Sequence, residues 1–387
     1  MYKIQTFNNL AAKGLDRFIP SKYTVGPDLR GADAIMLRSQ KLHDEAIDEN
    51  VIAVARAGAG VNNIPVEEYA KRGIVVFNTP GANANAVKEL VIAGMLIASR
   101  NICQAWDFAR SLEGDDEAIH KAVESGKKQF VGFELPGKTL GVVGLGAIGV
   151  QVANGALAQG MNVVGYDPGI TVRRAWEMSS QVSQAASIEE LLAKIDYVTF
   201  HVPLVDATRN MINAERLKII KNNAVILNFS RNGVVDDDAV VAAIDAGKVY
   251  AYVCDFPSNL LKNHPRVVTL PHLGASTMQA EENCAVMVAE EVRDFLENGN
   301  VRNSVNFPET LMPRSDGYRL AVVNANVPNM LGQISTCIAD AGLNILDMLN
   351  KSRGDLAYTL VDVDTEVKPS CLEHMARIDG VLNVRAL

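Results

Sequence analysis

Hydrophobic and polar residues alternate through the first 280 residues in a repeating pattern of strands and helices. Short apolar runs rich in β-branched residues are separated by longer stretches whose apolar residues recur at helical spacing. The first block contains predicted strands at Ala34–Leu37, Ile52–Ala55 and Ile74–Phe77, with a helix at 66–72 before the last of them. This pattern is typical of βαβ units and predicts a small α/β layer sandwich with a parallel sheet.

A second alternation of strands and helices follows a long helical pattern at about 84–110, which is predicted to link two domains. Its six predicted strands begin at Thr139, Val163, Tyr197, Ala224, Tyr250 and Val267. Six strands with intervening helices predict a doubly wound sheet.

The pattern changes again toward the end of the chain. A helix at 280–296, with Gly299 as its C-cap, is predicted to return the chain to the first block. Pro308, Pro313 and Gly317 mark a linker. Residues 318–387 then follow the order strand, helix, strand, strand, helix, strand, which predicts a third, small α+β domain.

Composition narrows the class of protein. The chain has 387 residues, and 37 basic against 45 acidic side chains give a net charge of −8. Because the basic residues form no cluster, we expect no nucleic-acid partner. No signal-like or membrane-spanning run is visible, so we expect a cytoplasmic protein with no membrane association. The five cysteines form no Cys-x-x-Cys pair, which argues against a disulfide framework and a metal site.

The strongest local motif is a strand that runs into Gly144-x-Gly146-x-x-Gly149 and then into a helix. In this motif the glycines allow a tight turn and close approach to a pyrophosphate, which the first helical amides, those of Ala147 and Ile148 among them, would hold. The next strand ends in Asp167, an acid about 20 residues on, which would bind the adenosine ribose and repel a 2′-phosphate. A dinucleotide site for NAD is therefore predicted, and the alternative is a coincidental glycine-rich turn.

Three loops follow later strands of the same sheet. They begin at His201, Asn228 and Pro271. Ligands bind at the carboxyl ends of parallel strands, so these loops are expected to line one cleft beside the nicotinamide. The predicted cofactor contacts in these loops are His201, Val202, Pro203, Phe229, Ser230, Gly274 and Ala275.

In these motifs the chain resembles the D-2-hydroxyacid dehydrogenase family, and within it the branch that oxidises 3-phosphoglycerate and carries a C-terminal ACT domain. The resemblance rests on the glycine motif and on five further segments: Arg38-Ser39, Arg56 to Asn63, His201-Val202-Pro203, Ser230 to Gly233, and Pro271 to Thr277. It implies a flavodoxin-like substrate domain at 1–90 and 282–305, an inserted Rossmann NAD domain at 91–281, an ACT domain at 318–387, and a homo-dimer or homo-tetramer.

The resemblance also implies the catalytic residues. Arg231 matches the arginine that holds the substrate carboxylate, a task suited to a planar, permanently charged guanidinium; an ordinary surface ion pair is the alternative. His272 matches the general acid/base, and an isolated histidine would otherwise be structural. Asp255 matches an aspartate that accepts a hydrogen bond from the nicotinamide carboxamide.

One family feature is missing. A glutamate normally hydrogen-bonds the catalytic histidine, but no acid lies between Asp255 and His272. Either another acid substitutes or His272 works unassisted, and our hypothesis is that Asn259 or a loop carbonyl orients the ring.

The resemblance implies NAD-dependent oxidation of 3-phospho-D-glycerate to 3-phosphohydroxypyruvate, the first step of L-serine biosynthesis. Arg38 and Arg56 are the candidates for binding the phosphate, with each pairing a local acid as the alternative. The other predicted substrate contacts are Ser39, Gly58, Asn78 and Asn83. Two other functions stay open: a glyoxylate or hydroxypyruvate reductase, and a non-catalytic dinucleotide-sensing protein.

The terminal segment resembles an ACT domain, in which L-serine as an effector would contact Asn324, Asn326 and Asn344. Asn329 stands where a glycine is usual, and asparagine tolerates the left-handed conformation that the turn needs. The alternative for this segment is a purely structural pairing module.

Overall fold

The computed structural model describes all 387 residues, which divide into two compact units. Residues 1–83 and 278–387 form the first unit, and residues 84–277 form the second. The predicted boundaries at 90 and 282 fall inside two continuous helices, which the structure keeps whole. The observed boundaries between the two units lie instead at the first residues of these helices, Ala84 and Met278.

Strands and helices alternate along most of the chain, as the sequence pattern predicts. The strands are β1 Tyr2–Thr6, β2 Tyr23–Gly26, β3 Ala34–Leu37, β4 Ala53–Arg56, β5 Val75–Phe77, β6 Thr139–Val143, β7 Asn162–Tyr166, β8 Ser183–Gln184, β9 Tyr197–Phe200, β10 Ala224–Asn228, β11 Val249–Cys254, β12 Val267–Thr269, β13 Tyr318–Ala325, β14 Ile345–Arg353, β15 Leu356–Val363 and β16 Val381–Ala386. The α-helices are α1 Ala12–Leu15, α2 Val66–Lys71, α3 Ala84–Arg100, α4 Ile102–Arg110, α5 Asp116–Gly126, α6 Ala147–Ala158, α7 Val172–Glu177, α8 Ile188–Lys194, α9 Ala214–Ile219, α10 Asp237–Asp245, α11 Met278–Asn298, α12 Met330–Asp340 and α13 Pro369–Ala376. None of these helices is long and apolar enough to span a bilayer.

The first unit contains a parallel five-stranded sheet with the strand order β2-β1-β3-β4-β5. This is the flavodoxin-like order, so the predicted fold class of this part is confirmed. Strands β3, β4 and β5 agree with the sequence prediction to within one residue. The two strands β1 and β2 were not predicted, because they are half-buried and mix apolar with polar residues.

The second unit contains a parallel seven-stranded sheet in the order β12-β11-β10-β9-β6-β7-β8. The chain starts in the middle at β6 and runs outward in both directions, which is the doubly wound arrangement that was predicted. The strand order reverses between β6 and β9, and ligands bind beyond the carboxyl ends of the strands at such a switch point. Only the two-residue edge strand β8 was not predicted.

The long helical pattern at 84–110 is two helices rather than one. Asn101 has φ 51°, in the left-handed region, and separates α3 from α4. The prediction of a continuous helix was wrong because the hydrophobic spacing continues across the break. The side chain of Asn101 accepts hydrogen bonds from Tyr250 and Arg266, which fix the turn from outside the helix.

Residues 318–387 have the predicted order of elements and form an antiparallel sheet, β14-β15-β13-β16, with α12 and α13 on one face. Its other face shares a core with the α/β part of the first unit, where Val323, Tyr358 and Leu360 pack in the cluster that contains Phe295 and Phe307. This segment was predicted to be a separate third domain. It instead belongs to the first compact unit, because both faces of its sheet are covered.

The helix α11 buries Glu291, which is 5% exposed. Burial raises the pKa of this carboxyl to about 8, although Asn303 donates a hydrogen bond of 2.6 Å to one of its oxygens. The other carboxylate oxygen has no partner. The protonated form is therefore favoured in the folded chain.

We expect stability to fall as pH rises from about 4.5 to about 8, because the unfolded chain ionises Glu291 first. The loss is at most about 5 kcal/mol. The variant Glu291→Gln keeps an acceptor for Asn303 and should lack this slope when unfolding is measured at pH 5 and pH 8. The control Glu290→Gln alters the neighbouring exposed acid, and equal slopes for Glu291→Gln and wild type would contradict the prediction.

Candidate active site

The glycine motif forms a tight turn between β6 and α6. Gly144 has φ 89°, and a Cβ atom at this position would lie 2.5 Å from the carbonyl oxygen of His201. The conformation and the close approach both require glycine. The turn therefore brings the predicted cofactor residues His201 and Val202 next to the glycine motif, as expected.

The start of α6 has the properties of an anion site. The helix begins after Gly146 without a side-chain cap, so its first amides are free for a ligand. A Cβ atom on Gly146 would meet nothing within 4 Å, so the backbone here is open to close approach. A Cβ atom on Gly149 would clash with the carbonyl group of Gly144, which explains the third glycine. This cradle fits the pyrophosphate of a dinucleotide.

Asp167 lies beside this cradle at the end of β7. Its two carboxylate oxygens accept the N–H groups of Leu145 and Gly169, each at 2.8 Å. A carboxylate oxygen can accept two hydrogen bonds, so both retain capacity for ribose hydroxyls. Arg173 and Arg174, in the helix that follows, pair with Glu177.

His201 follows β9 and is not suited to carry a proton at neutral pH. Burial lowers its pKa to about 3, so the imidazole is neutral. Its Nε2 atom lies 3.1 Å from the hydroxyl of Thr199, which orients the ring. Its predicted place along the cofactor channel stays a prediction.

Arg231 lies in the loop after β10. Its guanidinium is exposed and donates to the carbonyl of Ser230 at 2.7 Å, and it pairs with no carboxylate. The alternative of a surface ion pair is therefore not realised. Asn228 holds the loop, because its side chain donates to the carbonyl of Arg231 and accepts from the N–H and hydroxyl of Ser230. Sequence reasoning did not assign this role to Asn228.

Asp255 fixes the loop that carries His272. It is 1% exposed, and its oxygens accept the N–H groups of Leu273 at 2.9 Å and Gly274 at 2.7 Å. His272 itself has φ 57°, and its N–H donates to the carbonyl of Asp255. Asp255 thus shapes the backbone on either side of the imidazole. Its predicted contact with the nicotinamide carboxamide stays a prediction.

The loops of Arg231 and His272 are neighbours. They follow β10 and β12, which flank β11 in the parallel sheet. A Cβ atom on Gly274 would lie 4.0 Å from the carbonyl oxygen of Phe229, so the two loops approach closely at the carboxyl edge. The structure therefore brings the guanidinium and the imidazole to the same edge of the sheet.

The imidazole of His272 contacts an aromatic ring instead of an acid. The Phe256 ring packs edge-on against it, with centroids 5.3 Å apart and planes at 70°. The His272 ring has no hydrogen-bond partner, and Asn259 is exposed. The hydrogen bond from Asn259 or a loop carbonyl that we hypothesised is absent in this structure, and the ring's aromatic neighbour is Phe256, just after β11.

The remaining predicted cofactor residues differ in exposure. Phe229 and Ser230 are buried, and the ring of Phe229 packs on α3, where a Cβ atom on Gly94 would lie 3.0 Å from it. Only the backbone of Phe229 is thus available to a ligand. Pro203 and Ala275 are exposed.

In the first unit, Arg38 follows β3 and Arg56 is the last residue of the neighbouring strand β4. The Nε atom of Arg56 donates to the carbonyl of Arg38 at 2.8 Å, and its guanidinium lies over Gly58. Arg56 also donates to the carbonyl of Gly60. Arg38 pairs with Glu281 at 2.7 Å. The alternative of an acidic partner is therefore realised for Arg38.

An asparagine that the sequence did not single out holds this loop. The side-chain oxygen of Asn8 accepts the N–H groups of Ser39 at 2.9 Å and Gln40 at 2.8 Å. Among the other predicted contacts, Asn78 donates to the carbonyl of Ala59 at 2.5 Å. The carboxamide oxygen of Asn83 is buried without a partner, so it is free to accept a hydrogen bond.

The predicted effector residues of the terminal segment do not share one environment. Asn324 is 1% exposed, and its amide donates to the carbonyl of Ala325 and accepts from Thr359. Asn326 and Asn344 are exposed or partly exposed. Asn329 has φ 63°, so the turn before α12 survives without glycine, as predicted.

Comparison with known proteins identifies the family. Residues 92–274 match the NAD-binding domain of the D-isomer specific 2-hydroxyacid dehydrogenases. A D-3-phosphoglycerate dehydrogenase from Haemophilus influenzae is 32% identical over 349 residues, covering 87% of this chain and 81% of the relative. This chain belongs to the D-isomer specific 2-hydroxyacid dehydrogenase family. The predicted NAD-binding domain and its cofactor are thereby confirmed.

Two further relatives of this dehydrogenase carry related names. A D-3-phosphoglycerate dehydrogenase from Methanocaldococcus jannaschii is 36% identical over 87% of this chain, but the chain spans only 62% of that relative's length. The crystal structure of an NAD+-bound 3-phosphoglycerate dehydrogenase from Entamoeba histolytica has a TM-score of 0.60 at 27% identity, covering 80% of this chain and 99% of that one.

Proposed function

We propose that this dehydrogenase oxidises 3-phospho-D-glycerate to 3-phosphohydroxypyruvate with NAD, the first step of L-serine biosynthesis. One observation carries the proposal. The guanidinium of Arg231, which has no carboxylate partner, and the imidazole of His272 lie at the same carboxyl edge of the cofactor sheet. The names of the similar proteins support the choice of substrate.

The side chains divide the chemistry between them. Arg231 binds the substrate carboxylate with two parallel donors and orients C2. His272 accepts the proton of the C2 hydroxyl as that oxygen becomes a carbonyl, and returns it in the reverse direction. NAD, when bound, supplies the ring that accepts the hydride from C2. The glycine motif and the first turn of α6 would hold its pyrophosphate, and Asp167 its ribose.

The phosphate of the substrate would bind to Arg38 and Arg56. The two residues are neighbours, because the Nε atom of Arg56 donates to the backbone carbonyl of Arg38. Asn78 and Asn83 would add neutral hydrogen bonds, and Ser39 and Gly58 belong to the loops that position the arginines.

The proposal is tested with a panel of 2-hydroxy and 2-oxo acids, with and without phosphate, assayed with NAD and NADP. We expect the highest kcat/KM for the phosphorylated three-carbon pair with NAD. In Arg56→Ala, KM should rise for phosphohydroxypyruvate and much less for hydroxypyruvate. Equal losses would remove the phosphate role, and no turnover of any acid would favour a non-catalytic dinucleotide-binding protein.

The choice between NAD and NADP depends on the charge of Asp167. In Asp167→Asn the amide keeps one acceptor oxygen but loses the negative charge that repels a 2′-phosphate. We expect the ratio of kcat/KM for NAD over NADP to fall by about tenfold or more, since one charge contact is worth about 1 to 2 kcal/mol near a surface. An unchanged ratio would contradict the role of Asp167.

For residues 318–387 we propose an ACT domain that binds L-serine as a feedback inhibitor. The order of elements and the left-handed Asn329 support the fold. Asn326 and Asn344 are accessible, whereas Asn324 would reach an effector only after its present hydrogen bonds break. Titration of the activity with L-serine decides between this effector and a structural pairing module.

We also propose a homo-dimer or homo-tetramer. The helices α4 and α5 bury none of their own residues within the chain, and Trp106 is 59% exposed beside Ile102 at 45%. Such exposed apolar side chains are typical of a subunit interface. Light scattering of wild type and Trp106→Glu should show a smaller assembly for the variant.

A further inference from the structure

We propose that Glu281 selectively weakens the binding of phosphorylated substrates, because it occupies Arg38 and competes with the substrate phosphate for this guanidinium. This inference rests on the proposed function, in which Arg38 binds phosphate. It assigns a role to an acid that neither the glycine motif nor the catalytic loops include.

The ion pair has the geometry of an occupied anion site. The Nη2 atom of Arg38 lies 2.7 Å from the Oε1 atom of Glu281, and the two side chains are 42% and 43% exposed. An exposed pair of this kind contributes little to stability, so an incoming anion can replace the carboxylate. The partners are 243 residues apart in sequence, and α11 supplies the acid.

The surroundings concentrate positive charge at this point. Cys284, one turn further along α11, is buried, and burial raises the pKa of its thiol. The charges of Arg38 and Arg56 act in the opposite direction, and that of Glu281 raises this pKa further. The side chains of Arg38, Arg56 and Glu281 therefore all lie near the buried thiol of Cys284. Glu281 is the negative member of this group.

The position of Glu281 also lowers the free-energy cost of moving its carboxylate away from Arg38. Glu281 lies in the first turn of α11, where the amides and the dipole of the helix stabilise a negative side chain. When the carboxylate releases Arg38, the helix N-terminus still stabilises its charge. A phosphate dianion can therefore take the guanidinium, but it remains close to the carboxylate and is repelled by it.

This arrangement affects phosphorylated and unphosphorylated acids differently. A phosphorylated acid must displace Glu281 from Arg38 and tolerate its charge. An acid without phosphate has no group that needs this guanidinium. Glu281 therefore raises the KM of the phosphorylated substrate selectively, and it weakens the binding of inorganic phosphate.

The test is the variant Glu281→Gln, which keeps the size of the side chain and removes its charge. We expect the KM for phosphohydroxypyruvate, taken relative to that for hydroxypyruvate, to fall by about threefold to tenfold. The inhibition constant of inorganic phosphate should fall by a similar factor. In the background of Arg38→Ala both effects should become smaller, because only the direct repulsion between carboxylate and phosphate remains. A ratio that stays the same or rises in Glu281→Gln would overturn the proposal.

The matched control is Glu282→Gln, the next residue of the same helix. Glu282 pairs with Lys13 at 3.0 Å, so the control removes an exposed acid and an ion pair of the same kind away from the arginines. If inorganic phosphate also bound more tightly to this control, the effect would be a general effect of charge, and the role of Glu281 would be overturned. If wild type turned over no 2-oxo acid, the proposed function would fall, and calorimetric titration of inorganic phosphate into wild type and Glu281→Gln would alone decide the present inference.

Discussion

Replacing His272 with asparagine is expected to lower kcat by about 10² to 10⁴, the usual contribution of a positioned acid or base. Asparagine is the replacement that disturbs the backbone least, because His272 has φ 57° and asparagine adopts this conformation more readily than most residues. The backbone hydrogen bonds to Asp255 should therefore persist while the imidazole is lost. Steady-state kinetics in both directions measure the effect.

Two controls separate lost chemistry from a damaged site. The binding of NADH, followed by fluorescence, and the thermal transition should match wild type in His272→Asn, because Asp255 still holds Leu273 and Gly274. A variant that kept more than a tenth of the wild-type kcat would show that His272 is not the proton carrier.

The site in the second unit could be predicted from the sequence because its parts are local. Gly144, Gly146 and Gly149 lie within six residues of one another, and the local backbone requires glycine at 144 and 149. The loops of Arg231 and His272 could be placed because parallel strands end at one edge, so that residues just after β10 and just after β12 lie near the same edge of the sheet. Periodicity and strand ends were enough for both predictions.

The contacts that the sequence did not reveal are long-range side-chain contacts. Arg38 and Glu281 pair across 243 residues, and no local pattern marks them as partners. The Phe256 ring reaches His272 because β11 and β12 are adjacent, and a search for acids alone overlooks it. The order of elements in the terminal segment was predicted for the same reason, because it is local. Its packing against the α/β part of the first unit is long-range and was not predicted.

Replacing Arg319 with alanine is expected to destabilise the first unit by about 3 to 5 kcal/mol, the usual cost of breaking a buried ion pair on one side. Arg319 is 0% exposed and forms two bonds to Asp362, of 2.6 and 2.8 Å. It also donates to the carbonyls of Asn298, Met312 and Pro313, which belong to α11 and the segment after it. The guanidinium thus ties the terminal sheet to the α/β part of the unit.

The loss of stability in Arg319→Ala arises because the charge of Asp362 remains buried. Burial alone would raise the pKa of Asp362, but hydrogen bonds from Arg319 and Ser315 outweigh it, and the pKa is lowered. In wild type this carboxylate therefore stabilises the fold above about pH 4, and the contribution is lost as pH falls further. In Arg319→Ala the same carboxylate is buried without its counter-ion.

The double variant Arg319→Met, Asp362→Leu removes both charges and should recover most of the lost stability, because a buried pair replaced by apolar residues of similar volume is often close to neutral. Urea unfolding is followed by far-UV circular dichroism, since Trp106 and Trp176 both lie in the second unit and do not report on the first. If Arg319→Ala and the double variant unfolded at the same urea concentration, the uncompensated charge of Asp362 would not be the cause, and the lost bonds to the three carbonyls would account for the destabilisation.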